Sequence, residues 1–225
     1  MPSTPDRLVL VRHGESARNA AKAGQIYLPA ENRDAFLGQS DQATELTDLG
    51  WEQAWRTGLA LRERFGTFDL VYHSGYRRTI ETTSAILEAW PEAERTAMNV
   101  REHLLLRERD TGYTVNMTSA EASAAFPWFQ SDWTTTGHYI CRPPGGESMA
   151  DVAQRAMLFL HSMADTLANK RVLLVTHAGT TRMFRSVIEG WSHEEAMRQM
   201  THATANGGIV SYQTDALTDR LAVEA

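Results

Sequence analysis

The chain has 225 residues and a mass of 25.2 kDa, with 42% hydrophobic and 22% charged residues. This globular composition excludes a disordered chain or a collagen-like repeat, and the single cysteine, Cys141, excludes an internal disulfide. Twenty-two basic residues against 28 acidic leave a net charge of −6, which argues against a nucleic-acid partner.

The length fits one domain over residues 1–225. The first six residues lack the basic start and apolar core of a signal peptide. No apolar run nears the roughly 20 residues that a membrane helix needs. A cytoplasmic protein with no membrane partner is expected.

In chain order, residues 8–11 are a continuous apolar run, as in a strand buried on both faces. Residues 20–45 fit no regular element. After Thr47, the spacing of Ala54, Trp55, Leu59 and Phe65 predicts a helix with those residues inward. Residues 69–72 read as a second strand. Ile80, Thr83, Leu87 and Trp90 mark a helix that Pro91 stops. Leu104, Leu105 and Leu106 read as a third strand.

Residues 110–146 form the second irregular stretch, with a capping box at Thr118 and Glu121. Its aromatics, with Phe129 and Trp133 among them, read as a small core under a loop. Ser148 and Asp151 open a helix whose inner face is Val152, Ala156, Phe159, Met163 and Leu167. Residues 172–175 form a fourth strand. A second capping box, Ser192 with Glu195, opens a short helix. Residues 209–213 and 220–223 read as a final hairpin. The alternation predicts an α/β fold, a mostly parallel sheet with helices on both faces. Long loops in such a domain are often lids or binding loops.

Each predicted strand ends in charged or polar residues. The first runs into Arg12-His13-Gly14-Glu15-Ser16, and the second into His73-Ser74, followed by Arg77 and Arg78. The third ends at Arg107-Glu108 and the fourth at Thr176-His177-Ala178-Gly179. Open α/β sheets bind ligands at the carboxyl ends of their strands, so these groups are expected to converge. Phosphoryl transfer suits them. A neutral imidazole attacks phosphorus, and arginines match phosphate with paired donors. A carboxyl can protonate a leaving oxygen and then activate water. Gly14 would let the backbone approach the ligand. Fixed cations would do this work with no metal or cofactor. His73 stays undecided between the pocket rim and a structural place.

Arg12-His13-Gly14-Glu15-Ser16-Ala17-Arg18-Asn19 resembles the R-H-G-x-x-x-x-N signature of the histidine phosphatase superfamily, in its phosphoglycerate-mutase-like branch. The likeness continues in order. Leu46-Thr47-Asp48-Leu49-Gly50 resembles L-T-x-x-G. Ser74 to Thr82 resembles S-P-L-x-R-A-x-Q-T, with Gly75 and Tyr76 at the proline and leucine. Leu106-Arg107-Glu108, Gly145-Gly146-Glu147-Ser148 and Val175-Thr176-His177-Ala178-Gly179 complete it. The resemblance implies a three-layer α/β/α sandwich. It implies that His13 is phosphorylated in turnover and that Arg12, Arg78 and His177 hold the phosphoryl group. Glu108 would be the proton donor, and Asn19 a further contact to the phosphate.

Between Arg109 and Arg142 the only basic residues are those two ends. A mutase needs extra cations for its substrate's second anionic group. The reading is therefore a phosphatase acting on a small-molecule phosphomonoester. Mutase-type transfer, which would need cations from elsewhere such as Arg18, Lys22 or Arg33 in the first loop, is the alternative, and a non-catalytic phosphate-binding module comes third.

Overall fold

The computed structural model describes residues 4–213, so the strand expected at 220–223 lies outside the described residues. Five strands form one sheet: β1 (Arg7–Arg12), β2 (Leu70–His73), β3 (Asn99–Glu102), β4 (Arg171–Thr176) and β5 (Ile209–Gln213). Their spatial order is β3-β2-β4-β1-β5. The first four run parallel, and β5 closes the β1 edge antiparallel.

Side-chain alternation along the two central strands produces the layers. Leu8, Leu10, Val172 and Leu174 join one buried cluster, while Val9, Val11, Leu173 and Val175 join the other. Helices Met149–Ser162 and Ala178–Ile188 cover the first face with Phe159, Leu160, Phe184 and Ile188. Helices Asp48–Phe65 and Arg77–Leu87 cover the second with Leu61, Ile86 and Leu87. Each fully buried side chain of this size contributes about 1.5–3 kcal/mol. The result is the three-layer α/β/α sandwich expected from the sequence. No helix among the described residues is long and apolar enough to cross a membrane.

The sheet departs from expectation at one edge. Leu104–Leu106 is a 3-10 turn, and the strand beside β2 is the preceding Asn99–Glu102. That strand is exposed along its whole length, so it carries no apolar run to betray it. Leu106 is buried instead beneath the sheet's end. Two helix faces also differ. Trp55, Leu59 and Ile80 are exposed, and the inner face of Asp48–Phe65 is Gly50, Ala54, Thr57, Gly58 and Leu61. Small residues there let this helix pack tightly on Arg77–Leu87, so residue size misled the periodicity reading. The irregular stretches hold short helical turns, among them Asp41–Ala43, Ser119–Ala125 and Phe129–Thr136.

Gly14 is required for a reason other than ligand approach. A Cβ on it would lie 2.2 Å from the carbonyl oxygen of Gly50. The turn after β1 is thus pressed against the start of helix Asp48–Phe65. Thr47 caps that helix by accepting from Gly50 N, and Thr47 N donates to Glu15 O at 2.9 Å.

Candidate active site

β1, β2 and β4 end side by side, and their next residues meet. His13 N donates to Thr176 O at 2.9 Å, which ties the two central strand ends together. The His13 imidazole is buried, with Nδ1 2.6 Å from the carbonyl oxygen of Gly14. A carbonyl only accepts, so Nδ1 carries the hydrogen and Nε2 keeps its lone pair. Burial first, then Arg78, and more weakly Arg12, hold the His13 pKa well below the ordinary histidine range. The ring is therefore neutral at neutral pH.

A cleft of about 410 Å³ opens over this end, and Arg12, His13, Asn19, Arg78 and Glu108 all line it. Arg12 donates from one terminal nitrogen to Thr204 O at 2.7 Å, while its Nε is buried without a partner. Arg78 is buried at the start of helix Arg77–Leu87. Asn19 caps its own helix: its Oδ1 accepts from Ser16 N at 3.2 Å and from Asn206 at 3.3 Å.

His177, fully buried, follows β4, and its ring lies 5.1 Å from that of His13. Its Nε2 is 2.8 Å from Ser74 Oγ, and its Nδ1 is buried with no partner. Burial, Arg78 and His13 hold its pKa well below the usual range too.

Glu108 follows the turn that replaced the expected strand, yet it reaches the same cleft. Its Oε1 accepts from Arg109 N at 2.9 Å, and its Oε2 lies 3.4 Å from Gly179 N. Although charged residues flank it in sequence, it is half-buried at the N-terminal end of helix Ala178–Ile188. A buried ion pair explains how it is held. Arg155 donates to Leu105 O at 2.7 Å and to both carboxylate oxygens of Glu147, at 2.8 and 3.0 Å. Glu147 N in turn donates to Asp110 O. The Glu108 segment and the Gly145-to-Ser148 motif, far apart in sequence, brace each other.

The departures after Ser74 become intelligible here. Gly75 has φ of +83°, which proline cannot adopt. Tyr76 packs its ring 4.9 Å from the His177 ring and lies under the Arg78 guanidinium at 4.8 Å. His73 accepts from Gly75 N at 3.1 Å through Nδ1, so it braces this turn. Arg77 faces outward and pairs with Glu45 and Glu81.

Several residues of the site escaped the sequence reading. Asp41 grips Arg78 through its carbonyl at 2.6 Å and its carboxylate at 2.9 Å, and lies 3.2 Å from Arg18 Nε. Asn206 donates to His13 O at 3.0 Å. Arg109 and Arg182 line the cleft beside Lys22, a first-loop cation that the sequence did offer, and the three give hydrogen bonds to backbone carbonyls of Glu147, His202 and Ile26 respectively. Burial lowers the pKa of all three. None of them pairs with a carboxylate within 4.0 Å among the described residues. Next to them, Tyr27, Phe129, Trp133 and Pro143 wall a nook of about 40 Å³ that shares Lys22 and Arg109 with the cleft. Phe129 and Trp133 thus form a wall as well as a small core. No local pattern signals Asp41, Arg109 and Asn206, whose stretches follow paths that the sequence does not reveal, and Arg182 lies on helix Ala178–Ile188 with nothing in its spacing to point it at the cleft.

The sequence pattern of the histidine phosphatase superfamily (branch 1) matches residues 8–221. A 2,3-bisphosphoglycerate-dependent phosphoglycerate mutase of Rhizobium etli is 33% identical over 187 residues, or 81% of this chain and 79% of that one. The protein of the same name from Bartonella bacilliformis is 29% identical over 93% of this chain and 92% of its own. Among solved structures, mycobacterial glucosyl-3-phosphoglycerate phosphatase complexed with VO3 superposes with a TM-score of 0.67 at 25% identity. That match covers 92% of this chain and 90% of the other.

Proposed function

The chain belongs to the histidine phosphatase superfamily (branch 1), and we propose that it hydrolyses a small phosphomonoester through a phosphohistidine on His13. The observation that carries this reading is the Nδ1 contact to Gly14 O, which leaves a neutral imidazole with Nε2 free beside two arginines. Nε2 attacks phosphorus, the ester oxygen departs with a proton from Glu108, and Arg12, Arg78 and His177 hold the transferred group. Glu108 then takes a proton from water as the water attacks the phosphohistidine, which returns His13 to its starting form. Arg12 and Arg78 offset charge on the phosphoryl oxygens, in the manner of preorganised electrostatic catalysis. Asn19 contributes a further polar contact at the rim.

One observation favours mutase-type transfer as a second reading. The lack of basic residues between Arg109 and Arg142 suggested a pocket poor in cations. Lys22, Arg109 and Arg182 instead gather around the cleft from separate segments. They fit a substrate with a second anionic group near its phosphate, whether a mutase or a phosphatase uses it. Supplying 3-phosphoglycerate with a bisphosphoglycerate primer separates the two. A phosphatase releases inorganic phosphate, and a mutase equilibrates the phosphoglycerates and releases little. The second outcome would overturn the hydrolytic reading.

A further inference from the structure

A row of buried hydroxyls stands behind the two histidines. His177 Nε2 lies 2.8 Å from Ser74 Oγ, and Ser74 Oγ lies 2.9 Å from Thr79 Oγ1. Thr79 Oγ1 donates to the carbonyl of Tyr76 at 2.8 Å. Ser74, Thr79 and His177 are all buried. In the motif that residues 74–82 resemble, the position of Thr79 is an alanine.

Each hydroxyl has one hydrogen to give, so the row has a direction. With Thr79 donating to Tyr76 O, Ser74 donates to Thr79. Ser74 Oγ must then accept from His177, so Nε2 carries the imidazole hydrogen. This order makes three hydrogen bonds. The reverse order has Thr79 donating to Ser74 and Ser74 donating to Nε2. It makes two, and it leaves a buried Nδ1–H without an acceptor.

The surroundings keep the free ring neutral, as either order requires. Arg78 from helix Arg77–Leu87, Arg12 and His13 from the end of β1, and Arg155 from helix Met149–Ser162 all act on His177 to disfavour a proton. The neutral Tyr76 ring packs on its remaining side.

We propose that Thr79 is a positioning residue that orders Ser74 and fixes the proton of free His177 on Nε2, so that binding of a phosphoryl group requires one proton to be taken up at Nδ1. A bare Nδ1 lone pair repels a phosphoryl oxygen, whereas Nδ1–H donates to it. The proton comes from solvent. His177 becomes a cation, with Nε2–H still on Ser74 and Nδ1–H on the ligand. The dianion supplies the negative charge that makes this protonation favourable. The proposal rests on the phosphoryl-site reading above and adds a proton to the binding step.

The test uses tungstate, a tetrahedral dianion with no proton of its own at pH 8. Titration calorimetry in two buffers of different ionisation enthalpy counts the protons bound with it. The wild-type protein is expected to take up one proton. In Thr79→Ala the Ser74 hydrogen loses its acceptor and turns to Nε2, so His177 already carries Nδ1–H and the uptake falls towards zero. Thr79→Ser keeps the hydroxyl and restores the uptake. Nitrogen-15 spectra of the free wild-type protein should show His177 protonated at Nε2. This last measurement does not depend on any variant folding. An Nδ1–H tautomer in the free wild type, or equal uptake by wild type and Thr79→Ala, would overturn the proposal. If tungstate fails to bind the wild type at all, the phosphoryl-site reading itself falls.

Discussion

The floor of the cleft and its rim are built in opposite ways. The floor is the row of carboxyl ends of β1, β2 and β4. Its side chains, His13, Ser74, Arg78 and His177, are almost wholly buried against a sheet covered on both faces. The rim comes from Arg109 and from residues 20–45 and 110–146, which bring Lys22, Asp41 and Trp133 to the cleft or its adjoining nook. Chemistry that must hold atoms to within an ångström sits on the rigid layer. Recognition of the rest of the substrate falls to loops that can vary without unsettling the core.

The largest expected effect tests the floor. His13→Ala should abolish turnover and abolish the acid-labile radiolabel that wild type acquires from a phosphorylated substrate. A label that persists in the variant would place the nucleophile elsewhere. Glu108→Gln should slow alkyl phosphates by about 10²- to 10⁴-fold, the usual worth of a general acid. Aryl phosphates, whose oxygen leaves unaided, should lose much less. Equal losses on both would remove Glu108 from the proton-donor position.

The next effect tests the join between rim and floor. Asp41 belongs to the rim by sequence, yet it holds the Arg78 guanidinium through its backbone carbonyl and through both oxygens of its carboxylate, and only the carboxylate contacts are lost in an alanine variant. Asp41→Ala should lower kcat/KM by about 10- to 100-fold, as expected when a charge-stabilising group is displaced by about an ångström. A change in KM alone would make Asp41 part of the rim only. The smallest effect belongs to the rim itself. Trp133→Ala should alter KM by a few-fold and leave kcat on small esters within about threefold. A collapse of kcat would mean that the aromatic wall supports the floor.

Acid tests the floor through its two histidines. Burial holds the pKa of His13 and His177 well below 6.5 in the folded chain. Below pH 6.5 the unfolded chain therefore binds protons that these rings refuse. Stability should fall as pH drops, by up to about 1.4 kcal/mol per pH unit for each ring. Activity should persist past the ordinary histidine range and decline only where His13 itself gains a proton. Urea unfolding and initial rates from pH 7.5 to 4.5 check both expectations.

The same contrast governs what could be read from the sequence. Strands buried on both faces announce themselves as unbroken apolar runs, and the residues after them mark the floor, so Arg12, His13, Arg78 and His177 were legible. β3 was not, because an exposed edge strand needs no apolar side chains. Glu108 was legible through its motif, although the strand expected before it is a 3-10 turn. Among the cations of the rim, Lys22 was legible as a candidate of the first loop, but its gathering with Arg109 and Arg182 was not, because proximity created it. Lys22, Arg109 and Arg182 are distant in sequence, and the overall charge of −6 gives no hint that they share a cleft. The tight helix pair was hidden for another reason, since its contact uses Gly58 and Thr57 while Trp55 and Leu59 face outward.

Asn206 and Thr204 lie at the far end of the chain from the residues they hold. Asn206 donates to His13 O and Arg12 donates to Thr204 O, across 193 and 192 positions. During synthesis His13 therefore leaves the ribosome long before the segment that anchors its backbone. A nascent chain lacking that segment has its histidine but not its full framework. Gly207 N also donates to His13 O, and Arg12 N to Gly208 O, and closing so long a loop slows folding. β1 is consequently made well before the contacts that fully secure it.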